Sequence, residues 1–192
     1  MTDTDGPRIP QDTEGKIAMS KQLKDTGNGC FKEGQFGRAR VLYSKAVAYV
    51  RGLPGRPSSV PDAVGQAVAT AKESMSAERA AELNELEGVL HTNIAMCHLK
   101  QNHGFAAIES ANMALRFAPH SWKAQLRKAE GKLMVKDYED CLEVLAAIQC
   151  PDAYVHSLVQ KLKEQCRVGM QQEAARQKKT FANMFSKMSV AD

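Results

Sequence analysis

Segments with helical periodicity alternate with short breaks along the chain, and no segment shows the apolar–polar alternation of a strand. Apolar and small residues recur at intervals of three and four from Lys16 to a break at Gly34, and the spacing resumes at Phe36. Residues 53–65 contain three prolines and indicate a loop. We therefore predict an all-α chain. The predicted helices cover about residues 16–33, 36–52, 77–100, 105–117, 122–135, 137–148 and 153–188.

Small residues recur at a fixed interval in the first helix of each predicted hairpin. Ala95 and Ala129 are 34 residues apart, which is the period of tetratricopeptide repeats, and Gly27 precedes Ala95 by twice that interval. Small side chains at these positions let the two helices of a hairpin approach closely. Twelve and nineteen positions after each of them lie further small or apolar residues: Ala39, Ala107 and Cys141, then Ala46, Ala114 and Ile148. The pattern predicts a superhelical array of three tetratricopeptide helix-turn-helix repeats plus a long C-terminal helix.

The breaks divide the chain into three predicted parts. A polar segment with glycines and prolines, residues 1–15, is expected to be a disordered N-terminal tail. Residues 16–152 form the repeat domain and residues 153–192 a capping and extension helix. Within the repeat domain, the repeats are expected at about residues 20–53, 88–121 and 122–155, with an insertion at 54–87.

Composition excludes several functional classes. Hydrophobic residues make up 43% of the chain, charged residues 25% and aromatic residues 6%, which favours a globular helical domain. The net charge of +4 is too mild to indicate nucleic-acid binding, and no apolar run is long enough to span a membrane. The polar N-terminus lacks the apolar core of a signal peptide. Five cysteines without a close pair argue against a zinc site and fit a reducing cytoplasm.

Five polar residues on the first helices of the hairpins are candidates for ligand binding. The first helices of such hairpins line a concave groove, where packing does not require polar side chains. Two pairs are spaced by four residues, so each pair shares one helix face, and a single asparagine comes from the helix between them. The candidates are Lys24, Asn28, Asn93, Lys123 and Arg127. Three cations and two amides in one groove are suited to binding carboxylates.

Three segments resemble heat-shock co-chaperones with tetratricopeptide repeats. GNGCFKEGQFGRARVLYSKAV and NIAMCHLK resemble their first two repeats, and KKTFANMF is similar to the end of the helical domain of large FK-binding immunophilins. The resemblance covers about residues 16–188 and implies that the five candidates form a carboxylate clamp. Its implied ligand is the C-terminal Glu-Glu-Val-Asp tail of the 90 kDa and 70 kDa heat-shock chaperones. The chain departs from those immunophilins in two ways. No prolyl-isomerase domain is expected before the repeats, and Phe181 stands where that family often has tyrosine.

The expected function is therefore a cytosolic co-chaperone adapter without enzymatic activity, catalytic residues or cofactors. An alternative is a scaffold that recognises a different partner segment and does not bind chaperones. A third is a regulator that uses cysteine chemistry, but Cys166 has no histidine partner in the sequence and is expected to be an exposed, inert thiol. His91, His98, His103 and Cys97 do not have the spacing of a metal site.

The C-terminal helix has two interpretations. An apolar face of Leu158, Leu162, Cys166 and Met170 indicates a cap on the third repeat. The excess of lysine and arginine also suits binding to calmodulin or another acidic surface. The sequence decides neither this question nor which chaperone class is preferred. Four apolar residues extend beyond the reach of the third repeat and are expected to give a secondary partner contact: Phe181, Met184, Phe185 and Met188.

Overall fold

The computed structural model describes residue 10 and residues 12–53, 76–149 and 152–188, which form helices joined by short turns. No strand occurs in these ranges, so the predicted all-α class is confirmed. The helices are α1 (Thr13–Lys32), α2 (Phe36–Arg51), α3 (Ala77–Lys100), α4 (Gly104–Phe117), α5 (Trp122–Met134), α6 (Tyr138–Ala147) and α7 (Ala153–Met188).

Among the described residues, side chains cap the first turns of α1, α3, α5 and α7, where Asp152 accepts from the amide of Val155 at 2.8 Å. Asp12 accepts a hydrogen bond from the amide of Gly15 at 2.8 Å, so α1 begins at Thr13, within the segment predicted to be a disordered tail. Ser121 accepts from the amide of Ala124 at 3.4 Å and caps α5, as its position before that helix predicts. Ser76 caps α3 in the same way. The rest of the predicted tail, residues 1–9 and 11, lies outside the described residues.

The turns within the three hairpins share one backbone conformation. Gly34, Asn102 and Lys136 have φ angles of 77°, 60° and 64°, and their positions differ by the same intervals as the small helical residues. In each turn, the amide of the following residue donates to the carbonyl five residues earlier, at 2.9 Å. A lysine in the left-handed region costs about 1–2 kcal/mol. The repeat therefore imposes this turn even where the sequence offers neither glycine nor asparagine.

The small residues of the repeat lie where helices touch. All six alanines that the periodicity singled out are fully buried: Ala39, Ala46, Ala95, Ala107, Ala114 and Ala129. At Gly27, a Cβ atom would lie 2.7 Å from Cε1 of Tyr43 on α2. At Gly131, it would lie 2.8 Å from Cγ1 of Ile108 on α4. A side chain at either position would push the helices apart, which the sequence pattern predicted for Gly27 but not for Gly131.

Helices that follow each other in the chain pack together, and odd-numbered helices also contact one another. Each helix contacts the next along the chain, and α3 packs against α5, as α5 does against α7. An ion pair of 3.2 Å between Lys21 and Glu82 ties α1 to α3. The odd-numbered helices thus form one layer, which presents residues of α1, α3 and α5 to the same side of the molecule.

The beginning of α3 packs on the first hairpin. Residues 54–75 of the predicted insertion lie outside the described residues, but the remainder forms the first turns of α3. Leu83 and Glu87 are buried there, and Nε of Arg51 on α2 donates to Oε1 of Glu87 at 2.6 Å. This part of α3 therefore holds the first hairpin to the second.

The apolar face of α7 covers the third hairpin, although its residues differ in part from the prediction. Val155 and Val159 are buried against α5 and α6 residues, and Leu158 and Leu162 are half-buried beside them. Met170 is 36% exposed and lies beyond the cap. The buried face consists of Val155, Val159 and Cys166, so it keeps the predicted Cys166 and adds two valines that the prediction left out.

The expectation that Cys166 is an exposed thiol is wrong. Its side chain is buried in the core shared with α6, and its thiol donates to Sγ of Cys141 at 3.1 Å. The thiol of Cys141 in turn donates to the carbonyl of Ala129 at 3.2 Å, and burial raises the pKa of Cys141 well above its usual range. A buried, protonated thiol is a poor nucleophile, which disfavours the interpretation based on cysteine chemistry.

The contact between Gly27 and Tyr43 can be tested with two glycines of the same helix. Gly27→Ala should destabilise the protein by about 1–2 kcal/mol, because overpacking against a buried ring outweighs the gain of about 1 kcal/mol in helix propensity. Gly29→Ala is the matched control, since no atom lies within 4 Å of a Cβ atom at Gly29. It should leave stability unchanged or raise it. Urea unfolding measures both, and equal effects would contradict the packing argument.

Candidate functional site

The layer of odd-numbered helices carries a groove of about 380 Å³. Helices α1, α3 and α5 supply its walls, and α2 contributes one side chain, the buried Tyr43. The lining residues are Asn28, Phe31, Lys32, Tyr43, Thr92, Asn93, Met96, Trp122, Lys123 and Arg127.

Four of the five predicted site residues line this groove: Asn28, Asn93, Lys123 and Arg127. Lys24 is not among the lining residues. It lies one turn before Asn28 on α1, with Nζ at 3.8 Å from Oδ1 of Asp25 and a side chain that is 28% exposed. The repeat spacing thus brings three helices to a shared surface, while Lys24 lies beside the groove with an acidic neighbour of its own.

The amide of Asn28 is oriented by a hydrogen bond within the protein. The hydroxyl of Tyr43 donates to Oδ1 of Asn28 at 2.8 Å. Burial is the main cause that raises the pKa of Tyr43 to about 12, so the hydroxyl stays protonated and remains a donor near neutral pH. Tyr43 lines the groove but was not among the predicted site residues.

The two cations that α5 contributes to the groove, Lys123 and Arg127, have different surroundings. Nη1 of Arg127 donates to Oε2 of Glu130 at 2.5 Å, one turn later on the same helix. Nζ of Lys123 lies 5.5 Å from the centre of the Trp122 ring, within cation–π range. An acidic ligand would therefore encounter an arginine that is already paired and a lysine held over an aromatic face.

Sequence reasoning missed a further cation and the apolar part of the groove. Lys32 follows Asn28 by four residues, so helical spacing already places it on the same face of α1. Phe31, Met96 and Trp122 line the groove beside the polar groups. Their apolar type made them look like core residues, and only the tertiary arrangement shows that they border open space.

The chemistry of the groove is that of a binding site for an anion with an apolar portion. Its polar lining consists of ammonium, guanidinium, amide and hydroxyl groups, without a carboxylate, imidazole or thiol. The hydroxyl of Thr92 donates to the carbonyl of Gly88 at 2.8 Å. The lining thus offers hydrogen-bond donors and positive charge but no nucleophile paired with a base.

The described ranges contain no group of three or more histidine, cysteine or acidic side chains that could hold a metal ion. None of the helices in the described part of the chain is both long enough and apolar enough to cross a membrane.

No protein-family model matches the chain. Among curated proteins, it is similar to human peptidyl-prolyl cis-trans isomerase FKBP4, with 30% identity over 182 residues. The aligned region covers 92% of this chain and 34% of the human protein. The chain therefore spans about a third of the length of this relative.

Two solved structures share the fold. The C-terminal TPR-containing domain of a Plasmodium falciparum FK506-binding protein matches with a TM-score of 0.62 and 19% identity, over 86% of this chain and 96% of that domain. The second TPR domain of human RPAP3, solved in complex with the HSP70 peptide SGPTIEEVD, matches with a TM-score of 0.53 and 17% identity. That match covers 79% of this chain and 98% of the RPAP3 domain. Both confirm the predicted superhelical tetratricopeptide fold.

Proposed function

Because the chain is a tetratricopeptide-repeat protein homologous to FKBP4 over 92% of its length, we propose that it is a cytosolic co-chaperone adapter. It binds the acidic C-terminal tail of a heat-shock chaperone of the 90 kDa or 70 kDa class. The observation that carries the proposal is the convergence of Asn28, Asn93, Lys123 and Arg127 on one groove. No catalytic step is assigned to the chain.

The groups of the groove complement the free end of a peptide that finishes in aspartate. Such a residue carries two carboxylates, which accept hydrogen bonds from ammonium, guanidinium and amide donors. Each charge-assisted hydrogen bond contributes about 1.5–3 kcal/mol. After the cost of ordering a flexible tail, several of them give an affinity near the micromolar range, about −8 kcal/mol. The apolar residues Phe31, Met96 and Trp122 suit the valine of such a tail.

Similar proteins support the choice of ligand. The HSP70 peptide in the RPAP3 complex ends in Glu-Glu-Val-Asp, the sequence that the resemblance to co-chaperones implied. In the proposed complex, Lys24 is the fifth clamp residue. Its ammonium group, now 3.8 Å from the carboxylate of Asp25, would exchange this acid for the ligand. Because Asp25 and Lys24 are both partly solvated, that exchange costs little.

Titration calorimetry with the peptide Met-Glu-Glu-Val-Asp tests the proposal. The wild-type protein should bind with micromolar affinity that falls as salt increases. Lys123→Ala or Arg127→Ala should weaken binding at least about tenfold, since each removes a charge-assisted hydrogen bond. Lys128→Ala is the matched control, because it removes the same charge from α5 at a position that does not line the groove. It should change the affinity less than about twofold.

Two outcomes separate the clamp from the alternative scaffold function. Amidation of the terminal carboxylate should abolish binding, and unchanged affinity would exclude a carboxylate clamp. If Lys123→Ala and Arg127→Ala left partner capture intact while the peptide did not bind, the repeats would recognise a different segment of their partner.

Glu130 provides a test of the charge balance in the groove. Its carboxylate neutralises Arg127 and repels an acidic ligand, so Glu130→Gln should strengthen peptide binding about two- to fivefold. Glu143→Gln on α6 is the matched control for the loss of one exposed acid and should have a smaller effect. Weaker binding in Glu130→Gln would mean that the carboxylate is needed to position Arg127.

The proposal includes a secondary contact between α7 and the folded chaperone. Phe181 and Met184 are 58% and 56% exposed on consecutive turns, where no other part of the described chain covers them. The double variant Phe181→Ala/Met184→Ala should weaken binding to full-length chaperone about fivefold and leave peptide affinity unchanged. Surface plasmon resonance with both ligands measures this difference. An equal loss with both ligands would contradict a separate contact.

A further inference from the structure

Tyr43 belongs to both the core and the groove. Its ring is 2% exposed and packs in the cluster that contains Cys30 and Cys97, yet the residue lines the groove through α2. Its hydroxyl donates to Oδ1 of Asn28 at 2.8 Å across the contact between α1 and α2. The packing of the first hairpin and the polar surface of the groove therefore meet at this hydrogen bond.

The direction of this bond matters because an asparagine amide has two different ends. Oδ1 accepts hydrogen bonds, whereas Nδ2 donates two, and a carboxylate can only accept. With Oδ1 turned toward the hydroxyl of Tyr43, the trigonal amide directs Nδ2 away from it. The opposite orientation would bring the carbonyl oxygen of Asn28 toward a ligand carboxylate, and two acceptors repel each other.

The hydroxyl is itself held in place by close packing. A Cβ atom at Gly27 would lie 2.7 Å from Cε1 of Tyr43 and 3.1 Å from Cζ, so only glycine lets the ring lie this close to α1. The pKa of Tyr43, raised to about 12 mainly by burial, keeps the hydroxyl a donor across the neutral pH range.

We propose that Tyr43 is a positioning residue that fixes the Asn28 amide with its N–H groups toward the ligand and so makes the groove selective for an acidic peptide terminus. The inference rests on the proposed function but is separable from it. The tyrosine does not need to touch the ligand carboxylate, and its effect on affinity passes through Asn28.

Tyr43→Phe tests the inference, because phenylalanine keeps the ring against Gly27 and removes only the hydroxyl. Affinity for Met-Glu-Glu-Val-Asp, measured by titration calorimetry, should fall about five- to tenfold. In an Asn28→Ala background, Tyr43→Phe should cause no further loss beyond about twofold. Tyr138→Phe on α6 is the matched control, since it deletes the same hydroxyl from a half-buried ring outside the groove.

The outcomes distinguish the two proposals. If the wild-type protein does not bind the peptide, the proposed function fails. If the wild-type protein binds but Tyr43→Phe binds equally well, the proposed function stands and the inference is overturned. If Tyr43→Phe lowered the affinity equally in the wild-type protein and in the Asn28→Ala variant, the inference would also be overturned, because Tyr43 would then act through packing alone.

A measurement on the wild-type protein does not depend on the folding of the variant. The side-chain amide of Asn28 gives a pair of ¹H–¹⁵N resonances, which should shift when the peptide is added and shift less with the amidated peptide. Binding of the peptide without any shift of this pair would contradict the positioning role.

Discussion

The close approach of paired helices at small side chains is the constraint on which the groove depends. Gly27, Ala95 and Ala129 occupy the same place in three hairpins, and the two alanines are fully buried there. Because the interval between them is regular, the first helices of the hairpins stack in one layer and present the same face. A larger side chain at Gly27 would displace the ring of Tyr43 and, with it, the surface next to Asn28.

The positive charge of the groove is partly compensated within the chain. Glu130 pairs with Arg127, and Asp25 lies near Lys24, so two of the predicted clamp cations have acidic neighbours before any ligand arrives. Binding of an acidic peptide would therefore exchange ion pairs and not only create them. This favours moderate affinity and rapid release of the proposed ligand.

Periodicity predicted the helices and the side of the molecule that carries the groove, because both follow from helix geometry and the repeat interval. For this reason it brought Asn93 and Arg127 to the same groove. It could not predict the pairing of Glu130 with Arg127, which depends on rotamers, or the two valines that α7 buries. The early start of α1 could have been predicted, since Asp12 has the side chain of a helix cap.

The repeats share one backbone arrangement, but different kinds of contact orient the polar groups of the groove. Tyr43 fixes Asn28, whereas the matching positions of the other hairpins hold Ala111 and Leu145, whose side chains have no polar atom. On α5, an acid one turn away holds Arg127, and an aromatic ring lies under the neighbouring cation. The repeat therefore determines where these side chains lie, and local contacts determine which way their donors point.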